Sequence, residues 1–195
     1  MKNTGKTVLT VVTVFALLYV GSFLTKWIPD ATEILSDRSF TREAVVGETV
    51  EMRTGDVTVT GVQATQQVEI YGQVATTDQT WLVIDVQWTP HGESGIIGGS
   101  FPVIRSKDGR TFGGMQTLTA NCGPTPPGLT VWCQMPFEIP TDALEGSKIL
   151  IPAGGQVFTS DDVAQIDLQI DAATASQLTS SQERILLQDS TSVIP

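Results

Sequence analysis

Residues 81–88 read Trp-Leu-Val-Ile-Asp-Val-Gln-Trp, and their period of two decides the fold class. Leu82, Ile84, Val86 and Trp88 share one parity, with Asp85 and Gln87 on the other. Successive side chains of a strand point to opposite faces, so this stretch has one dry side and one wet side. The same alternation runs from Leu129 to Ile139. Its odd positions are Leu129, Val131, Cys133, Met135, Phe137 and Ile139, and its even ones include Thr130, Gln134 and Glu138. Further on, Ile166, Leu168 and Ile170 alternate with Gln165, Asp167, Gln169 and Asp171.

Shorter strands fill the space around these three. Thr49–Arg53 opens the series. Val57–Ala64 begins with Val57 and Val59 inward and slips to Val62 and Ala64 after Gly61, which predicts a β-bulge. Val68–Val74 is broken by Gly72. Phe101–Ser106 and Arg110–Phe112 flank Lys107-Asp108-Gly109, a hairpin signal. Gln116–Cys122 sets Leu118, Ala120 and Cys122 on one side, and Lys148–Ile151 closes a loop that begins at Pro140. Asp142–Glu145 has room for one helical turn, but no stretch of the domain sustains a 3.6-residue period. Seven to nine short strands with frequent turns predict an antiparallel β-sandwich. An open barrel is the alternative that period alone leaves standing.

The N-terminus is of a different kind. Val8–Leu24 carries no charge over 17 residues, about 26 Å as a helix at ~1.5 Å per residue. Thr7, Thr25, Trp27 and Ile28 extend it toward the ~30 Å of a hydrocarbon core, with Lys26 and Trp27 suited to the headgroup level. Lys2 and Lys6 precede the run, and all 21 acidic residues follow Trp27. The positive-inside bias therefore predicts a cytoplasmic N-terminus and an extracytoplasmic remainder. A cleaved signal peptide, with Val20 and Ser22 at the −3 and −1 positions, is the rival and would make the protein secreted. No lipobox cysteine is present. The expected organisation is a cytoplasmic stub and transmembrane helix over 1–27 and a juxtamembrane spacer over 28–46. The sandwich follows over 47–171, and a mobile Ser/Thr/Gln-rich tail over 172–195. Within that tail Ile185, Leu186 and Leu187 are candidates to dock on the domain or on a partner.

Charge and cysteine content exclude some functions. Beyond Trp27, eight basic residues stand against 21 acidic ones, a balance of −13. Such a surface repels phosphate backbones, so nucleic acid is not expected as a partner. Cys122 and Cys133 are the chain's two cysteines, and an even pair in an exported chain predicts one disulfide between neighbouring strands. With one histidine, His91, and no CxxC, neither a metal nor a cofactor is expected.

Several segments together resemble the telokin-like, immunoglobulin-fold domains of small exported actinobacterial proteins. They are TGDVTVTGVQAT at 54–65, WLVIDVQW at 81–88, SKDGRTF at 106–112, CQMPFEIPTDALEGSKILI at 133–151 and VAQIDLQI at 163–170. The resemblance covers roughly Gly47 to Asp171. It implies an immunoglobulin-like sandwich and no catalytic residue, and neighbours of this type include secreted antigens and accessory components beside membrane transporters. The expectation is thus an all-β, immunoglobulin-like antiparallel sandwich preceded by one transmembrane helix.

Chemistry is sparse. His91 lies in Thr-Pro-His-Gly-Glu-Ser-Gly with Ser94 three residues on, which resembles the beginning of a hydrolase site but lacks an oxyanion hole. A solvated turn is the plain alternative. Gly92–Ser100 is glycine-rich without phosphate-binding spacing, and Asp161 with Asp162 reads as solvated charge. Trp81 and Trp132 are opposite in parity to the dry residues of their strands, so they are candidate partner contacts. In one sheet they would form an exposed aromatic patch. Trp81 packed under the 92–100 loop or under the tail is the competing expectation. The function that follows is a membrane-anchored, non-catalytic interaction module for a protein or envelope component. An envelope hydrolase using His91 or surface carboxylates is the alternative.

Overall fold

The computed structural model describes residues 13, 40–92, 97, 102–113, 122–153, 162–180 and 183–193. All but Thr13 belong to one compact unit, Ser39–Pro195. The predicted span Val8–Leu24, apart from Thr13, lies outside the described residues, as do Gln116–Asn121, Ser94 and Asp161. Among the described residues no helix is long and apolar enough to cross a membrane.

The described residues form a mainly-β, two-sheet sandwich of eleven strands. In chain order these are β1 (Phe40–Val45), β2 (Thr49–Met52), β3 (Gly55–Ile70), β4 (Gln73–Pro90), β5 (Val103–Arg105) and β6 (Thr111–Gly113). They continue with β7 (Val131–Ile139), β8 (Lys148–Pro152), β9 (Asp162–Asp167), β10 (Ile185–Leu186) and β11 (Thr191–Ser192). One sheet runs β1-β9-β8-β5-β6. The other runs β10-β3-β4-β7-β11, with β2 also on β3. The pairing is antiparallel except where β1 meets β9 and β10 meets β3, which are parallel.

The alternation has its expected effect. Leu82, Ile84, Val86 and Trp88 of β4, with Cys133, Met135, Phe137 and Ile139 of β7, enter one core with Ile104, Ile149, Ile151 and Ile166 of the facing sheet. The register of β3 on β4 shifts between Val59 and Gly61, where the phase slip predicts a bulge. A Cβ at Gly61 would meet the Asp85 carboxylate at 2.5 Å, so a side chain there would have to push that carboxylate away from Gln63 and Gln134. The break at Gly72 proves to be a hairpin. Ile70 pairs with Gln73 across Tyr71-Gly72, and both turn residues are left-handed, with φ 50° and 76°. That geometry suits the twist of a two-residue connection and needs glycine at least once. The Lys107-Asp108-Gly109 turn joins β5 to β6 as its composition predicts.

Four expectations need correction. The domain begins at Phe40, because the end of the supposed spacer forms β1 along β9, where Gln165 donates to Glu43. Leu129 is 53% exposed because Pro126 and Gly128 hold it in a turn before β7 begins. Asp162 is buried, accepting from the Arg42 guanidinium at 3.2 Å and the Arg53 amide at 2.9 Å. The stretch after Ala172 is structured in its described part: helix α1 (Ala172–Ser180) leads into β10 and β11. Asp171 caps α1 by accepting the Thr174 amide at 2.7 Å. Beyond these, the helical turn near Asp142 is a 3-10 turn over Thr141–Ala143.

Candidate functional site

The outer face of the six-stranded sheet carries both candidate tryptophans. Trp81 lies opposite Thr65 and Glu138, and Trp132 lies opposite Gln87 and Thr191. Along β4 the two registers are six residues apart, roughly 20 Å at ~3.3 Å per residue. The strands are neighbours, as an aromatic patch requires, but the side chains stand at opposite ends of the face. There is no joint patch.

Trp81 is also covered. Only 6% of it is exposed, and it shares a cluster with Val68, Val83 and Leu187, the last from the C-terminal segment. Trp132 is half-buried. Trp81 is on the face its parity predicts, and the C-terminal segment that lies across that face is what buries it. Packing under the tail, the competing expectation, is what the structure shows.

The covering segment, residues 183–193, is a strap running from the edge of β3 to the edge of β7. Thr65 Oγ1 donates to the Glu183 carbonyl at 2.6 Å, and the Arg184 guanidinium meets the Glu69 carboxylate at 2.8 Å. Ile185 and Leu186 pair with Val68 and Glu69, and the Leu187 amide donates to the Glu69 carbonyl at 2.8 Å. The Gln188 amide then donates to Gln134 Oε1 at 2.9 Å over the sheet face. Gln134, expected on the wet side, is buried there, and its side-chain amide donates to Asp85. Tyr71 Oη donates to Asp189 at 2.9 Å, which holds the phenol above its ordinary pKa, chiefly through that bond and then through the carboxylate charge. Thr191 pairs with Trp132, and the Val193 amide reaches the Thr130 carbonyl.

Beside the strap lies a groove of about 720 Å³. Val62 and Ala64 of β3, Gln134, Leu178 of α1, and Arg184 and Leu186 line it. Leu186 itself is 59% exposed. Tyr71 and Arg184 belong to no motif, and Gln134 has the wet parity of its strand, so none of the three stands out in the sequence as a site residue. The available signal was the Ile185-Leu186-Leu187 run inside a polar stretch.

At one end of β4, His91 Nε2 lies 3.0 Å from Asp56 Oδ2, with the histidine side chain 47% exposed. Its backbone amide donates to the Thr54 carbonyl. This is a surface His–Asp pair, and Ser94 lies outside the described residues. A second charged cluster joins Arg110 to Asp108 and Asp142 at 2.7 and 3.0 Å. Asp108 is held below the ordinary carboxylate pKa, first by the Ser106 hydroxyl and also by Arg110, and Arg110 is raised in turn, first by Asp142. These solvent-exposed pairs brace the β5–β6 turn. Cys122 and Cys133 are joined in a disulfide with Cα atoms 5.4 Å apart, both buried. Among the described residues no group of three or more His, Cys, Asp or Glu side chains is placed to hold a metal ion.

No family model matches the chain, and no curated protein matches it. Among solved structures it is similar to the yjhA protein from Bacillus subtilis, at 14% identity over 65% of this chain and 99% of that one, with a TM-score of 0.42. It is also similar to an uncharacterized beta-sandwich protein from Clostridium difficile 630, at 10% identity over 68% of this chain and 97% of that one, with a TM-score of 0.43. These are distant likenesses between two-sheet sandwiches, and no activity follows from them.

Proposed function

We propose that the chain is a membrane-anchored, extracytoplasmic interaction module without catalytic activity, whose immunoglobulin-like sandwich binds a protein or an envelope component. The Cys122–Cys133 disulfide carries the location, because such bonds persist in oxidising compartments. The uncharged run Val8–Leu24, with basic residues before it and all acidic ones after, supports the same reading. The binding role rests on the outer face of the six-stranded sheet, where Trp132 stays partly accessible beside the strap. In one version the protein is an accessory to a membrane transporter, with the N-terminal span packed against other helices.

Two experiments test it. A reporter active only outside the cytoplasm, fused after Pro195, should be active, and a cytosolic reporter at the same place should be silent; the reverse pattern overturns the location. Crosslinking in intact membranes should give a defined adduct that Trp132→Ala weakens, and an unchanged adduct removes Trp132 from the contact. The hydrolase reading retains one supporting observation, the His91–Asp56 pair. A defined activity lost in His91→Ala would establish it.

A further inference from the structure

The strap is attached far more thinly than the sheet beneath it. It contributes two ladders of two residues each, against the paired lengths of β3, β4 and β7. Leu187 is its one buried apolar side chain among the described residues. Helix α1, which precedes it, buries no residue fully. Elements with few apolar contacts and short, exposed ladders open before the rest of a domain. The covered face also pays for being covered: the Trp81 indole N–H is buried without a hydrogen-bond partner among the described residues. An unsatisfied buried donor favours the open state, in which water or a new acceptor reaches it.

We infer that residues 183–193 open as a unit while the sandwich stays folded. The uncovered face then takes an extended partner segment with a cationic residue three positions before a large aliphatic one. This rests on the interaction-module reading and names the partner's chemistry. The strap itself supplies the pattern. Arg184 neutralises Glu69, the next two residues add a parallel strand to β3, and Leu187 fills the space between Val68, Trp81 and Val83. Strand addition supplies affinity through the main chain and specificity through alternate side chains. The negative charge of the domain, with Glu69 and Glu138 on β3 and β7, favours a cation at the first position.

Hydrogen exchange on the unmodified full chain tests the opening and needs no partner. The amides of Leu187, Gln188 and Val193 should exchange about a hundredfold or more faster than those of Leu82–Val86. Equal protection overturns the inference while leaving the interaction-module reading intact. The second arm uses a fluorescent peptide of residues 183–193 and the full-length Leu187→Asp variant, whose own strap docks poorly. The peptide should bind this variant about tenfold or more tighter than the unmodified chain, because the attached strap taxes the affinity of any competitor. Peptides carrying Arg184→Glu or Leu187→Ala should bind about tenfold more weakly. Equal binding by the variant and the unmodified chain, or indifference to both peptide changes, overturns the proposed recognition. Should the unmodified chain dimerise through exchanged straps in sedimentation, the occupant is a second copy and the partner-segment assignment falls. If Leu187→Asp does not fold, the exchange pattern decides, since a strap essential to the fold must be as protected as the core.

Discussion

Leu187 and Trp81, 106 residues apart in the chain, pack in one buried cluster on the outside of the six-stranded sheet. That contact defines an apolar cluster separate from the core between the sheets. Ile84 belongs to the main core between the sheets, whereas Leu187 belongs to a satellite. Ile84→Ala should cost about 3–4 kcal/mol, as expected for truncation in a packed interior. Leu187→Ala should cost about 1 kcal/mol, because the loss is capped by the free energy with which the strap docks. Urea unfolding of the two variants measures the difference, and equal losses would place the strap within the cooperative core. The Leu187 variant should also redden tryptophan emission as Trp81 gains solvent.

Asp162 ties the first strand and the β2–β3 turn to β9. Its side chain is 10% exposed and accepts from Arg42 and from the Arg53 amide, while the Thr54 hydroxyl donates to the nearby Ala153 carbonyl. Replacing the carboxylate removes the shared acceptor of two part-buried hydrogen bonds, one of them from a guanidinium, which costs about 2 kcal/mol. Asp162→Ala should therefore lower the urea midpoint by that equivalent. Asp167, of the same strand but 40% exposed, lies 4.0 Å from Lys148 and accepts the Gln169 amide at 2.8 Å where solvent competes, so the same change should cost about 1 kcal/mol, less than at Asp162.

The disulfide closes a loop with a sequence separation of 11. Cross-linking a loop of this size removes unfolded-state entropy worth about 3 kcal/mol in the chain-entropy model. The Cys122→Ser/Cys133→Ser double variant should lose about that much, and reductant should destabilise the unmodified protein to the same extent. Protein isolated without reductant should titrate no thiol under denaturing conditions. Two free thiols in that assay would remove the support for an oxidising compartment.

Side-chain parity was legible because it is a local property. The inward set of β4 and β7, the bulge at Gly61 and the β5–β6 turn each follow from a few neighbouring residues. What covers a face is not local, which is why parity gave Gln134 the correct side but the wrong exposure, and left the exposure of Trp81 open between two expectations. Strands β1 and β11 escaped notice for a related reason, whereas the apolar run that holds β10 was marked as a docking candidate. Phe40–Val45 and Thr191–Ser192 carry little hydrophobic pattern and are held by edges supplied by distant strands. Composition marked the last two dozen residues as mobile, yet Asp171 starts a helix there and one leucine anchors a strap. Of the candidate site, both tryptophans were placed on the correct sheet face. Their separation depended on register, which a single strand's alternation does not fix.

Helix α1 offers a pH test with a definite sign. Asp171 has its pKa lowered below the ordinary 3.8, first by the backbone amide of Thr174 and then by its hydroxyl. A carboxyl depressed in the folded state contributes stability in full above its unfolded value. That contribution is lost as pH falls through the lower, folded value. The helix start should therefore hold at neutral pH and fray only below about pH 4. Following the Thr174 amide resonance from pH 7 downward should give a midpoint below that of an unstructured aspartate. Asp171→Asn, which keeps a capping oxygen but cannot titrate, should abolish the transition while leaving α1 formed. A midpoint at or above the ordinary value would mean that Asp171 does not cap the helix in solution. The connection from the sandwich to the strap would then have no fixed starting point.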